Sequence, residues 1–165
     1  PSGIQEKAWL IPISWLQTEG KPVAEGTTAA SIATIAVNHT LKSGKSPILV
    51  NALNSKSGSN FKLAGEELSK MFEDDSEFFI PQISADTIGG AAAIKNMRFM
   101  ILMQRPGQLV GFWQVGTSGM SAKVQDIVGG LGTGSTSEVG LKISLKAFDV
   151  VPMYNYTGEL PVAGA

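Results

Sequence analysis

The sequence predicts a mainly β fold: a β-sandwich or barrel with one short packed α-helix and an extended amino-terminal arm. The first observation is a series of about eight apolar segments of strand length, separated by turn residues, with one good helical segment among them. The second is strict alternation of apolar and polar residues over 141–150. The third is a Pro-Gly turn between two apolar segments, which is typical of a β-hairpin.

Length and composition indicate a single domain over residues 1–165. The chain has no cysteine and one histidine, which excludes disulfides, thiolate catalysis and the usual zinc spacings, so we expect no cofactor and no metal. The 13 basic residues nearly balance the 14 acidic ones. This balance leaves no basic patch of the kind that grips a nucleic-acid backbone.

The surface is expected to be partly covered by other subunits. Charged residues make up only 16% of the chain and hydrophobic residues 43%, which suggests more apolar surface than a lone domain tolerates. No apolar run is long enough to span a membrane, and the amino end has no basic patch before an apolar segment. We therefore expect a cytoplasmic product without a membrane span.

Residues 1–30 are expected to form the arm and a loop. The segment 9–16 is apolar and holds two tryptophans, and Pro12 within it indicates an edge strand or an extended arm, because proline cannot donate a hydrogen bond to a sheet. Residues 17–30 are rich in Gly, Thr and Pro, which is typical of a loop.

The β core is expected over 31–151. Weak alternation over 31–41 favours a strand, and the apolar segment 48–54 predicts another. A further strand is expected at 78–84, where Pro81 indicates an edge or a bulge.

Two segments carry helical signals. Over 64–77, apolar residues at helical spacing and two early glutamates predict one or two helical turns or an irregular acidic loop. Residues 86–96 predict the one good helix, with Asp86 as its amino-terminal cap and Lys95 and Asn96 at its end.

The clearest local pattern is the hairpin formed by 98–104 and 109–116. Between these segments, Pro106 presets the first central dihedral angle of a type II turn and Gly107 supplies the positive one. Its first strand is apolar on both sides, so neither side is suited to water. One side carries Phe99, Ile101 and Met103, and the other carries Met100 and Leu102.

The carboxyl-terminal half predicts two further strands and a tail. Alternation favours strands at 121–129 and 141–150, joined by a glycine-rich loop. The residues of the second strand expected to face the core are Leu141, Ile143, Leu145 and Ala147. The tail, residues 152–165, is expected to be extended and held by Tyr154 and Tyr156.

Motifs that suggest phosphate binding or catalysis lack their required context. The glycine-rich segment 129–135 is followed by a predicted strand, whereas a dinucleotide-binding loop requires a helix there. The segment 43–46 resembles the end of a phosphate loop, but His39 occupies the position of its first glycine. No catalytic partner can be assigned to His39, so we expect no catalytic residues and no enzymatic activity.

Acidic and aromatic residues offer weaker candidates. The acidic residues could serve as acid and base or hold calcium, but the regular ligand spacing is missing, and a solvated face is favoured. Tryptophans could stack sugars, although core or subunit packing is the commoner role. The acidic cluster comprises Glu66, Glu67, Glu73, Asp74, Asp75 and Glu77.

The order of four segments carries a resemblance to a known family. In chain order, the segments are "EFFIPQISADTIGGAAAIKN", "RFMILMQRPGQLVGFWQVG", "SAKV" and "GLKISLKAFDVVPMYNYTG". Over about residues 40–158, this order resembles bacteriophage tail tube proteins, especially the small ones from phages of Bacteroidetes hosts. The resemblance implies a β-sandwich or barrel whose copies form rings, usually hexameric. The rings stack into a hollow tube in the virion tail, assembled in the host cytoplasm and contacting other tail proteins.

The resemblance also implies where subunits meet. Sheets join across subunits to line the lumen, through which DNA passes without sequence-specific contacts, and the acidic cluster is expected to border this lumen. The strand that is apolar on both sides is expected to have one face against a neighbour. The candidate interface residues are Trp9, Ile11, Ile13, Trp15, Phe99, Ile101, Met103, Phe112 and Trp113.

Two other classes remain open. One is a different ring-forming virion or secretion-tube component, such as a connector or an inner tube. The other is a monomeric glycan-binding β-sandwich that uses the tryptophans and a calcium ion at the acidic cluster.

Overall fold

The computed structural model describes residues 3–22, 28–135 and 137–162, which contain twelve strands and two α-helices. The strands are β1 (Lys7–Pro12), β2 (Leu16–Thr18), β3 (Thr34–Ile35), β4 (Thr40–Leu41), β5 (Ile48–Asn51), β6 (Gly58–Ala64), β7 (Met71–Ile80), β8 (Arg98–Met103), β9 (Phe112–Val115), β10 (Ala122–Gly130), β11 (Gly140–Asp149) and β12 (Tyr154–Tyr156). The helices are α1 (Ala29–Ile32) and α2 (Ala85–Ile94). The predicted mainly β class is confirmed.

Ten strands form one branched sheet around β8, and β2 and β4 form a separate pair. β1 pairs with β8 along one edge and with β5 on its own far side. The other edge of β8 is shared, because β10 pairs with its first residues and β9 with its last three. One branch continues through β9, β12 and β3, and the other through β10, β11, β7 and β6.

Gly116 lies at the end of β9, next to the point where the sheet branches. Its φ of 90° is in the left-handed region, which glycine adopts without steric cost. A Cβ atom here would lie 2.8 Å from the carbonyl oxygen of Phe99 and 3.0 Å from the amide nitrogen of Ala122. A side chain at residue 116 would therefore push apart β8 and the start of β10.

The chain itself covers both faces of β8. On one face, Phe99, Ile101 and Met103 belong to a core with residues of β1, β7, β10 and β11. On the other face, Met100 and Leu102 pack in a second core with Ile11, Ile35, Leu41, Phe112, Tyr154 and Tyr156. The expectation that one face of this strand contacts a neighbouring subunit was therefore wrong, since both faces are filled by residues distant in the sequence.

The segment expected to be an extended arm is an interior strand. β1 lies between β5 and β8 and is antiparallel to both, and its Ala8, Leu10 and Ile11 are fully buried. Pro12 is compatible with this position because it is the last residue of β1, where a missing amide hydrogen removes little pairing. The remainder of the predicted arm and loop includes residues 1, 2 and 23–27, which lie outside the described part.

Residues 31–41 form a helical turn and two short strands, whereas a single strand was expected. Thr28 caps α1: its hydroxyl accepts a hydrogen bond from the amide of Ser31, and the Ser31 hydroxyl accepts one from the amide of Thr28. This reciprocal capping favours helix at the start of a weakly alternating segment.

The acidic segment was expected to be helical or irregular, but from Met71 onwards it is the long strand β7. This strand pairs with β6 on one edge and β11 on the other, and non-local pairing of this kind overrides helical spacing. The turn at residues 65–70 is the irregular part.

The predicted helix is present as α2, with a different cap. Its capping residue is Ser84, whose hydroxyl accepts a hydrogen bond from the amide of Thr87, and Asp86 lies in the first turn. The helix begins earlier than predicted because Ser84 and Thr87 form a reciprocal capping box.

The hairpin turn, the two alternating strands and the described part of the tail match their predictions, and residues 163–165 of the predicted tail lie outside the described residues. The amide of Gln108 donates to the carbonyl of Arg105 at 3.0 Å, and Gly107 has a φ of 81°, as a type II turn requires. The inward residues of β11 are buried as expected, and Tyr154 and Tyr156 are buried in β12. β1 and β12 both lie in the sheet, so the core extends beyond residues 31–151 at each end.

Replacing Leu10 by alanine should lower the free energy of unfolding by about 2–5 kcal/mol, because it leaves a cavity in an interior strand. Leu109, which is 90% exposed in the hairpin turn, is the matched control, and Leu109→Ala should change the value by less than about 0.5 kcal/mol. Urea unfolding followed by circular dichroism measures both. Equal, small effects would show that β1 is a dispensable arm.

Candidate functional site

The four strands β10, β11, β7 and β6 form an antiparallel extension of the sheet with two different faces. The inner face packs on the core through Phe78, Ile143 and Leu145. The register places eight charged side chains on the opposite face, which we call the outer face. They are Lys62 on β6, Glu73, Asp75 and Glu77 on β7, Lys123 and Asp126 on β10, and Lys142 and Lys146 on β11.

Ion pairs cross the strands of the outer face. Lys146 Nζ lies 2.5 Å from a Glu73 carboxylate oxygen and 3.8 Å from Asp75, and Lys62 approaches Glu73 at 3.6 Å. The hydrogen bond with Lys146 lowers the pKa of Glu73 and raises that of Lys146. Four acidic and four basic side chains therefore give this face no net charge.

The predicted acidic cluster is divided among three environments. Glu73, Asp75 and Glu77 lie on the outer face, where the first two contact Lys146 and the third lies 3.5 Å from Lys142. Asp74 points to the inner face and is buried. The two remaining members, Glu66 and Glu67, are exposed in the turn between β6 and β7. A continuous negative surface is therefore not formed, because a strand sends successive side chains to opposite faces.

The extension ends in two edges that lack a strand partner among the described residues. β6 pairs only with β7. β10 pairs with β8 through Ala122 and Lys123, and the edge of its remaining residues, 124–130, has no strand beside it in the described ranges. Each free edge is about seven residues long. Unpaired edges of this length expose backbone groups that can pair with another chain.

Two buried carboxyl groups lie on the inner face at the end of the extension. Asp74 Oδ1 and Asp149 Oδ2 are buried without a hydrogen-bond partner. The other oxygen of Asp149 accepts from the amide of Val150 at 2.7 Å and from the Tyr154 hydroxyl at 3.4 Å. Burial, followed by the nearby charge of Asp149, raises the pKa of Asp74 from 3.8 to about 7. Burial also raises the pKa of Asp149.

His39 is the centre of a buried polar network. Its Nδ1 accepts a hydrogen bond from the amide of Gly20 at 2.9 Å, so Nε2 carries the hydrogen and donates to Gln114 Oε1 at 2.8 Å. The ring stacks on Tyr156 with centroids 4.5 Å apart, and the Tyr156 hydroxyl accepts from the His39 amide. Burial lowers the pKa of His39. Both ring nitrogens are thus used to hold the chain together, which favours a structural role.

The predicted interface residues lie mostly inside the chain. Ile11, Phe99, Ile101 and Met103 are buried at 2% exposure or less. Phe112 is 8% exposed. Because these side chains have almost no free surface, their assignment as subunit contacts was wrong.

The other candidates keep partial exposure but already have contacts in the same chain. Trp9 packs edge-on against Phe112, with ring centroids 5.5 Å apart. The Lys45 ammonium lies 4.9 Å from the ring centre of Trp15. Ile13 packs against the second core, and Trp113 packs against the first. The free edges of β6 and β10 are thus a better candidate surface than the tryptophans.

The glycine-containing motifs lie in turns between strands. Residues 43–46 connect β4 to β5, and the amide of Lys45 donates to the carbonyl of Lys42. The segment 129–135 leaves β10 and leads to β11. Neither motif is followed by the helix that phosphate binding requires.

Sequence reasoning missed the free edges and the buried carboxyl groups. The alternation of β7 was readable from residues 71–80, and it would have placed Asp74 with Phe72, Ser76 and Phe78. Which strands end without a partner was not readable, because it depends on every other pairing in the sheet.

Comparison with known proteins identifies no family. The chain matches no protein-family model, and it has no significant match among curated proteins or solved structures. In the three described ranges, no group of three or more His, Asp or Glu side chains could hold a metal ion. No helix in those ranges is both long and apolar enough to cross a membrane.

Replacing Asp74 by asparagine should stabilise the protein at neutral and alkaline pH. The folded state favours the protonated carboxyl group, so its contribution is present below pH 3.8 and is lost as the pH rises to about 7. Asp74→Asn removes this loss, whereas Asp126→Asn on the exposed face of β10 should retain the pH dependence of the wild type. Urea unfolding across this pH range measures the free energy of unfolding of both variants. If this free energy depends on pH in Asp74→Asn as it does in the wild type, the raised pKa does not belong to Asp74.

The single histidine makes its titration directly observable. By NMR, the imidazole carbon signal of His39 should titrate with a midpoint below 6.5, because burial favours the neutral ring. The folded state then loses stability as the pH falls from 6.5 through the folded pKa. The unfolded protein in urea is the matched control, with a midpoint near 6.5. A folded-state midpoint above that of the unfolded protein would refute the buried network.

Proposed function

We propose that this chain is a structural protein that assembles head to tail into rings, and that the rings stack into a bacteriophage tail tube. The observation that carries the proposal is the pair of free edges, β6 and the distal part of β10, at opposite sides of one four-stranded extension. A head-to-tail contact between two different edges generates a closed ring when the rotation between copies closes.

Strand directions support this contact. β10, β11, β7 and β6 alternate in direction, so β6 runs opposite to β10. When a second copy is placed in the same orientation, its β10 is antiparallel to β6 of the first. Because each copy contributes four strands of the extension, the joined extensions would be antiparallel throughout in a ring of any size, and neither edge of the extension would remain unpaired.

Exposed apolar side chains at the edges also support it. Phe61 and Leu63 point to the inner side of β6, yet they are 50% and 54% exposed, because no strand of the described ranges lies beyond them. On β10, Val124 and Ile127 point to the same side and are half-buried. Pairing the two edges would bring these side chains together and remove apolar area from water.

The charges of the outer face are compatible with a surface along which DNA moves without binding tightly. In the proposed ring, the joined extensions form a continuous barrel, and their balanced outer face lines the lumen. Its lysines are largely engaged with carboxylates, so few are free to neutralise phosphates. A β-sandwich or barrel fold of the tail-tube type, a place in the virion tail and contacts with other tail proteins belong to the same proposal.

Electron microscopy and sedimentation of the purified protein over a range of concentrations test the assembly. Stacked rings or tubes are expected for the wild type. We call the contact between β6 of one copy and β10 of the next the joint. Leu63→Glu should raise the concentration for half-assembly by at least about tenfold, because it places an unpaired charge in the joint. Leu109→Glu, at a more exposed apolar position outside the extension, should leave that concentration nearly unchanged.

Other outcomes would replace the proposal. Isolated rings that never stack would indicate a connector-like component. A monomer at every concentration would refute assembly. Retention of that monomer on a polysaccharide column would favour a glycan-binding protein.

A further inference from the structure

Three basic side chains lie in one row across neighbouring strands. Arg98 on β8 is directly opposite Lys123 on β10, and Lys123 is directly opposite Lys146 on β11. Like charges at directly opposed positions of an antiparallel sheet repel each other and lower its stability. An anionic group beside Arg98 and Lys123 would relieve the repulsion between these two side chains.

Only one member of the row is neutralised within the described residues. Lys146 contacts Glu73 and Asp75, whereas Arg98 and Lys123 are exposed and form no ion pair in that part of the chain. The row lines a depression of about 390 Å³, and none of the residues lining it is acidic.

Two acidic side chains, equal in number to the two basic side chains without an ion pair, lie at the opposite edge of the extension. Glu66 and Glu67 are exposed in the turn after β6 and form no ion pair in the described ranges. The turn is ordered by a hydrogen bond from the amide of Ser69 to the carbonyl of Glu66, at 3.0 Å. Leu68 beside them is 98% exposed, so the turn projects into solvent.

The acidic turn and the basic row lie at the same end of the extension. The register aligns Lys123, Lys146, Asp75 and Asn60 in one row across the four strands. Following β6 from Asn60 towards its end leads to the acidic turn. The matching direction on β10 leads back to its start, beside Arg98. When β6 of one copy lies beside β10 of the next, these opposite charges face the same joint.

We propose that Arg98 and Lys123 of one copy bind the carboxylates of Glu66 and Glu67 of the next copy. This inference rests on the proposed head-to-tail ring. It identifies the charged contact as the interaction that determines which residues of β6 in one copy pair with which residues of β10 in the next. Backbone pairing alone tolerates slippage, because every register makes similar hydrogen bonds. Opposite charges at one end favour the register that brings them together, and like charges disfavour reversed contacts such as edge β10 on edge β10.

Charge reversal tests the contact. Arg98→Glu/Lys123→Glu and Glu66→Lys/Glu67→Lys should each raise the concentration for half-assembly by at least about tenfold, because each places like charges in the joint. The variant that combines all four changes restores the attraction with reversed polarity and keeps the wild-type net charge. It should assemble near the wild-type concentration.

A matched control separates the contact from net charge. Lys42→Glu/Lys95→Glu makes the same change in net charge as the reversal of the basic row, at exposed positions outside it. It should assemble like the wild type. Circular dichroism checks folding. If a reversal variant is unfolded, Arg98→Gln/Lys123→Gln takes its place, with an expected loss of assembly intermediate between the wild type and a full reversal.

The outcomes distinguish this inference from the function on which it rests. A wild type that never assembles refutes both. A wild type that assembles, together with reversal variants that assemble equally well, refutes only the charge contact. Failure of the folded four-site variant to recover assembly also overturns it. So would normal assembly of Arg98→Glu/Lys123→Glu with loss of binding to a double-stranded DNA oligonucleotide, since the row would then be a phosphate site.

Discussion

Burial of β8 on both faces is the constraint on which the rest of the structure depends. One face contacts residues of β1, β7, β10 and β11, and the other contacts residues from β9, β12 and the short strands β3 and β4. Because side chains alternate along a strand, a single six-residue segment holds two cores in place. The sheet divides at the shared edge of β8, where Gly116 lies beside the branch point. One branch begins with β9 and the other with β10.

The four-stranded extension is organised by different forces at its two ends. Near β8, apolar burial fixes its inner face. Towards β6 the core thins, Phe61 and Leu63 become half exposed, and the buried Asp74 lacks a partner for one oxygen. The outer face carries ion pairs centred on Glu73, which is 8% exposed, and a pair between the more exposed Lys142 and Glu77, which contributes little to stability. The two free edges of the extension would therefore gain backbone pairing and apolar burial from a neighbouring strand, which links the energetics of the fold to the proposed assembly.

Buried polar groups act on the fold in opposite directions as the pH changes. His39 requires the neutral ring because Nδ1 accepts a hydrogen bond, whereas the raised pKa of Asp74 reflects a preference for the protonated acid. Acidification therefore weakens the network near β12, whereas it favours the protonated form of the buried Asp74 carboxyl group.

The sequence by itself determined features that depend on near neighbours. The Pro-Gly turn, the inward residues of β11 and the helix near residues 86–96 follow from local dihedral preferences, a two-residue period and a capping pattern. Four features were decided only by the tertiary structure: the interior position of β1, the cover on the second face of β8, the burial of Asp74 and the two free edges. Each depends on which distant strand lies alongside, and a strand's own side chains indicate that it must be covered without specifying which segment covers it.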